Sequence, residues 1–137
     1  MSEAEHILET RRWLKYADED LHTAQVIIKE PTIAYRHVCW LAQQSVEKSI
    51  KAILIFLQIE FHRIHDLDAL RNLIPESWSV KAKFPDLAIL TEWAVEARYP
   101  GNWQEANLSD AKFAVKQAGD ISDTVLSDFM IHGLKIG

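Results

Sequence analysis

Apolar residues in this chain recur every three or four positions, and this spacing is the strongest constraint on its fold. Within residues 5–29 the apolar positions are separated by three, four, three and four residues, at Leu14, Ala17, Leu21, Ala24 and Ile28. Such positions form one face of an α-helix. No stretch alternates apolar and polar residues for long enough to predict a β-strand. We therefore expect an all-α protein.

Prolines mark the ends of the first two predicted helices. Pro31 ends the helix over residues 5–29, because proline lacks an amide N–H and restricts the residue before it. A second helix is expected from Thr32 to about residue 57. Its polar side carries Gln43, Gln44, Glu47, Lys48 and Lys51. This side either faces solvent or holds a ligand.

The second half of the chain predicts one short helix and two longer ones. Asp66 is suited to cap a short helix over residues 67–74, since its carboxylate can accept from free amides of the first turn. After a loop over residues 75–83, a fourth helix over 84–98 stops at Pro100-Gly101. A last helix spans 105–130. The prediction is an up-and-down bundle of four main helices plus one short helix, in a single domain over residues 1–137.

Composition restricts the cellular setting and the partners. The single cysteine, Cys39, excludes an internal disulfide and fits a reducing compartment. The acidic N-terminus does not resemble a signal peptide, and no apolar run is long enough to span a bilayer. We expect a cytoplasmic protein without membrane contact. The net charge of −5 argues against broad nucleic-acid binding, although residues 31–83 carry seven Lys/Arg against five Asp/Glu.

Two short motifs suggest metal chemistry, but neither supplies a complete ligand set. His62 to Asp66 holds two histidines and a carboxylate, yet no second ligand cluster exists to complete a site. We expect Asp66 to cap the next helix and His65 to pack or bond backbone there. Glu19 and His22 have the spacing of di-metal bundles, but the partner residues on other helices are missing. We expect neither a metal nor a cofactor.

The aromatic residues and the thiol have structural interpretations. Trp40 and Trp93 are expected in the core, whereas Trp13, Trp78 and Trp103 are candidates for partner contact. Cys39 lies two residues from His37, which would point elsewhere on a helix, so a structural thiol is favoured over a nucleophile.

Three segments taken together resemble the HEPN domain family. They are Gln43-Gln44-Ser45-Val46-Glu47-Lys48 with Lys51, then His65-Asp66-Leu67, then Arg98-Tyr99-Pro100. The resemblance spans roughly residues 10–130. It implies a helical bundle, usually a homodimer, that binds nucleotides or pairs with a minimal nucleotidyltransferase as in toxin–antitoxin systems. On this basis the nucleotide-binding candidates are Arg98, Tyr99, Lys48, Lys51, Arg36 and His65.

The chain departs from the ribonuclease branch of that family. There, an arginine is followed by four to six residues and a histidine. After Arg98 the corresponding positions hold Trp103, Gln104 and Glu105, and no other arginine fits the pattern. Histidine is the natural general base for a 2′-hydroxyl at neutral pH. The resemblance therefore favours a non-nuclease subunit. The alternative is a divergent metal-independent ribonuclease toxin, which would act on RNA at a dimer cleft with Arg98 as its catalytic candidate.

Overall fold

The computed structural model describes residues 2–96 and 105–135. All regular secondary structure within these ranges is helical. The six helices are α1 (Glu3–Ile27), α2 (Tyr35–Phe56), α3 (Leu67–Asn72), α4 (Ser79–Lys83), α5 (Ala88–Glu96) and α6 (Leu108–Ile131). The prediction of an all-α bundle is confirmed. Among the helices described, none is both long and apolar enough to cross a membrane.

The longest helices begin at side chains that bind their free amides. Ser2 and Glu5 form a capping box at α1, and Asn107 and Asp110 form one at α6. Helix α2 begins later than expected, at Tyr35, because Thr32 does not cap it; Ala34 is the N-cap and makes no side-chain hydrogen bond.

The predicted fourth helix also begins later than expected. It starts at Ala88, whose amide donates to the Asp86 carboxylate over 3.1 Å. Pro85 restricts the backbone of the residue before it, and Phe84 has a non-helical φ of −126° and ψ of 72°, so the helix does not begin at residue 84. The predicted stop at Pro100-Gly101 lies outside the described residues.

Helix α2 lies at the centre of the bundle and contacts α1, α3, α5 and α6. Its contact with α1 is close because small residues meet there. The Ser45 hydroxyl donates to the carbonyl of Ala17 over 2.7 Å, and Ala24 and Ala42 are fully buried. A backbone carbonyl can be reached by so short a side chain only when two helices approach closely.

Trp78 belongs to the core, so the expectation that it contacts a partner is wrong. Its side chain is 1% exposed and packs edge-to-face against Phe56 and Phe129, with centroid distances of 6.0 and 5.1 Å. Trp93 is buried, as expected. Trp13 and Trp40 are half-buried, and Trp103 lies outside the described residues.

The segment predicted as a loop over residues 75–83 contains the one-turn helix α4. The buried carboxylate of Asp128, on α6, accepts from the Ser79 amide, the Ser79 hydroxyl and the Val80 amide. It therefore caps α4 from a distant helix. Local sequence could not show this cap, because its acceptor lies 49 residues away.

Replacing the cap tests how far α4 depends on it. We expect Asp128→Ala to lower the free energy of unfolding by about 2 kcal/mol, since three donors lose their acceptor. Urea denaturation followed by circular dichroism measures the change. Asp123→Ala, an exposed site on the same helix, is the control and should alter stability by less than about 0.5 kcal/mol. Equal effects of the two substitutions would contradict the capping role.

Candidate functional site

Three polar residues of α2 lie on one face and are buried. Gln43, Glu47 and Lys51 follow one another at four-residue intervals, so they stack along the helix. Their exposed fractions are 0%, 5% and 8%. The interpretation of this side as solvent-facing is therefore wrong for these three residues. A buried charge is costly unless it is paired and hydrogen-bonded, so the partners of Glu47 matter most.

The Glu47 carboxylate accepts hydrogen bonds from three side chains. Gln43 donates through Nε2 to Oε1 over 3.0 Å, and Lys51 donates through Nζ to Oε2 over 3.1 Å. The Nδ1 atom of His65 lies 2.9 Å from Oε1. We call these four residues, Gln43, Glu47, Lys51 and His65, the Glu47 cluster.

The connector after α2 brings His65 to this cluster. Asp66 caps α3 by accepting from the amides of Asp68 and Ala69, which confirms the predicted cap. The Leu67 amide donates to the Thr91 hydroxyl, tying the start of α3 to α5. His65 precedes these anchored residues and bonds the Glu47 carboxylate. The expectation that it packs against or bonds backbone is therefore wrong.

The pKa of Glu47 is lowered from its ordinary value by competing effects. Burial is the largest single influence and raises the pKa, because it disfavours the charged carboxylate. Hydrogen bonds from His65 and Gln43, followed by the charge and hydrogen bond of Lys51, together outweigh burial. Glu47 is consequently a carboxylate at neutral pH.

Lys51 is held by aromatic rings as well as by Glu47. Its Nζ lies 5.9 Å from the centre of the Trp13 ring and 5.6 Å from that of Phe61. Both distances allow a cation–π interaction. Trp13 in turn donates its indole N–H to Glu9 over 3.0 Å. The four-residue spacing on α2 indicates the Glu47–Lys51 pair in the sequence. Only the tertiary fold brings the Trp13 ring from α1 and the Phe61 ring from the connector to Lys51.

Lys48 also turns toward α1 but binds a different carboxylate. Its Nζ lies 2.5 Å from Oδ2 of Asp20. The structure therefore places Lys48 and Lys51 on the α1 side of α2, as a shared phosphate contact requires. Each ammonium, however, already has a carboxylate partner.

Arg36 lies apart from the Glu47 cluster. Because an α-helix rises about 1.5 Å per residue, Arg36 is about 17 Å from Glu47 along the axis of α2. Its guanidinium is 3.6 Å from the carboxylate of Glu105, and both side chains are well exposed. The remaining candidates, Arg98 and Tyr99, lie outside the described residues. Within residues 2–96 and 105–135, no three His, Cys, Asp or Glu side chains are placed to hold a metal ion.

Comparisons with known proteins agree on the family. The HEPN domain family matches residues 10–128. The Methanocaldococcus jannaschii protein named "Putative toxin MJ1304" is 34% identical over 140 residues, which cover 90% of each chain. The crystal structure of an archaeal HEPN homologue has a TM-score of 0.63 at 26% identity, covering 86% of this chain and 95% of that one. TT1696 from Thermus thermophilus shares the fold, with a TM-score of 0.70 at 20% identity and coverage of 87% and 97%.

Removing the charge of Glu47 should destabilise the bundle. Glu47→Gln keeps the size of the side chain but leaves the buried Lys51 ammonium without a counter-charge. We expect the free energy of unfolding in urea at pH 7 to fall by about 3 kcal/mol. Glu19→Gln, at an exposed position on α1, makes the same chemical change and should have almost no effect. A loss of stability no greater than that of the control would show that the pair is not needed.

The contribution of Glu47 should also depend on pH. Because its folded pKa is lowered, its stabilisation is complete above the unfolded pKa of about 4.3 and is lost as the pH falls through the folded value. The stability difference between wild type and Glu47→Gln should therefore shrink on acidification below that pH. Urea denaturation at a series of acidic pH values measures it. A difference that stays constant or grows toward low pH would rule out the lowered pKa.

Proposed function

Because the chain belongs to the HEPN domain family, we propose that it is the non-nuclease helical subunit of a toxin–antitoxin-like pair. In this proposal it forms a homodimer and its partner is a minimal nucleotidyltransferase. The similarity to the protein named "Putative toxin MJ1304" supports the two-component role. The matched region covers 90% of this chain and 90% of that relative.

The observation that carries the non-nuclease assignment is the pairing of the candidate cations. Lys51, Lys48 and Arg36 each lie beside a carboxylate, provided by Glu47, Asp20 and Glu105. A ribonuclease must direct positive charge at a phosphate that gains negative charge in the transition state. Cations already paired with carboxylates are poorly suited to that task. A binding or interaction surface does not require uncompensated charge.

A nucleotide bound at this face would meet His65 first among the described candidates. The His65 side chain is 49% exposed, and its Nδ1 faces Glu47. If Nδ1–H donates to that carboxylate, Nε2 is the ring nitrogen left for a ligand. Arg36 is exposed at the far end of α2, and Arg98 and Tyr99 complete the proposed set. Lys48 and Lys51 would have to exchange carboxylate for phosphate.

Pairing with the nucleotidyltransferase tests the leading proposal directly. The chain, carrying an affinity tag, is expressed together with the product of its adjacent reading frame. We expect a complex that stays intact through affinity and size-exclusion chromatography. Titration calorimetry with ATP then distinguishes two kinds of subunit. A nucleotide-binding subunit gives a heat of binding, whereas a purely structural subunit gives none. Independent elution of the two proteins would contradict the partnership.

A second function is favoured by one specific feature of the cluster. A half-exposed imidazole oriented by a buried carboxylate is the arrangement of a general base. His65 could thus supply the base that the sequence after Arg98 lacks, in a metal-independent ribonuclease. The pairing of Lys51 and Lys48 weighs against this alternative, and a cleavage assay decides between them.

The cleavage assay uses single-stranded RNA, the purified chain and excess EDTA. The leading proposal predicts no cleavage above that of the buffer. Cleavage by the wild type that disappears in a folded His65→Asn variant would support the ribonuclease instead. His62→Asn is the matched control, because the His62 side chain is exposed in the same connector and makes no hydrogen bond with another described residue.

A further inference from the structure

A cavity of about 330 Å³ lies between α1, α2 and α6, away from the Glu47 cluster. Its apolar lining comes from Leu14 and Ala17 on α1 and from Val125 and Leu126 on α6. Ser49 is the residue that α2 contributes. Ser49 and Glu47 are two positions apart on α2, so they point about 200° away from each other around its axis. The cavity and the Glu47 cluster therefore lie on opposite sides of α2.

Two hydroxyl groups in this cavity lack hydrogen-bond partners among the described residues. Ser49 is 3% exposed, and its hydroxyl makes no hydrogen bond to another described residue. Ser122, on α6, lines the same cavity and likewise has none. By contrast, the equally buried Ser45 donates to Ala17. Ser122 is half-buried and Ser49 is buried. Because neither hydroxyl is bonded within the described part of the chain, both are free to exchange hydrogen bonds with a ligand in the cavity.

The charged residues that line the cavity are also available to bind a ligand. Arg11 and Lys15 are one turn apart on α1 and exposed; Asp18 lies one turn further. None of the three takes part in an ion pair within the described part of the chain, although Arg11 donates one N–H to the carbonyl of Lys135 over 2.5 Å. Two cations against one carboxylate favour an anion. By contrast, the candidate cations Lys48 and Lys51 on α2 each form an ion pair with a carboxylate.

We propose that this cavity binds a small organic anion, with its phosphate or carboxylate group beside Lys15 and Arg11. The body of the ligand lies against the apolar lining and exchanges hydrogen bonds with the hydroxyls of Ser49 and Ser122. The volume suits a compact molecule, since ligand pockets commonly begin near 300 Å³. The site does not depend on the proposed nucleotidyltransferase partner, and neither proposal fails if the other does.

The first test measures binding by nuclear magnetic resonance on the full chain. Phenyl phosphate and benzoate are titrated separately, so that the two kinds of anionic group are compared on the same ring. Inorganic phosphate and benzyl alcohol are controls that carry only the charge or only the ring. We expect saturable shifts at the amides of Lys15, Ser49 and Ser122 with at least one of the two aromatic anions. Absence of saturable shifts at these amides with both would overturn the proposal, as would equal binding of benzyl alcohol.

The second test uses variants at the rim and the floor of the cavity. Lys15→Glu should weaken binding of the aromatic anion about tenfold, because a repelling charge replaces an attracting one. Lys112→Glu, an exposed site on α6 outside the cavity lining, makes the same charge change and should leave affinity unaltered. Ser49→Ala removes the hydroxyl without filling the cavity and should also weaken binding. Unchanged affinity in either Lys15→Glu or Ser49→Ala would overturn the assignment.

Discussion

The candidate site depends on the hydrogen bonds that the Glu47 carboxylate accepts while buried on the central helix α2. The carboxylate accepts from Gln43, Lys51 and His65 and so joins α2 to the connector that leads to α3. A buried carboxylate is tolerated only when such donors surround it. The same donors keep it ionised, and the ionised group in turn fixes the position of the imidazole. Folding and site geometry are therefore coupled through a single side chain.

The distribution of charge around α2 separates two sides of the bundle. On one side Lys51 is matched by Glu47 within α2, and Lys48 is matched by Asp20 on α1, so both positive charges there are already compensated. On the other side Lys15 lies beside a cavity without an ion-pair partner among the described residues. A paired lysine contributes little to attracting an anion, whereas an unpaired one can steer and hold it. The cavity therefore offers a small anion a cation that no described carboxylate already holds.

Much of the fold could be predicted from spacing, since α1, α2 and α6 each carry an apolar stripe with helical period. The order of three motifs in the sequence also indicated the family. Properties set by tertiary contact could not be predicted: α4 depends on Asp128, far along the chain, and Trp78 is buried by residues from α2 and α6. The burial of Glu47 was missed for the same reason. Its four-residue spacing from Gln43 and Lys51 fits equally well a solvated face.

The central claim is that Glu47 is an ionised anchor for His65, and side-chain nuclear magnetic resonance tests it most directly. The Glu47 Cδ resonance is followed through an acid titration, together with the ring nitrogens of His65. We predict a Glu47 pKa below the ordinary value of a glutamate side chain, with the His65 nitrogen shifts responding as Glu47 becomes protonated. A Glu47 pKa at or above that value, with His65 unaffected by its protonation, would contradict the account.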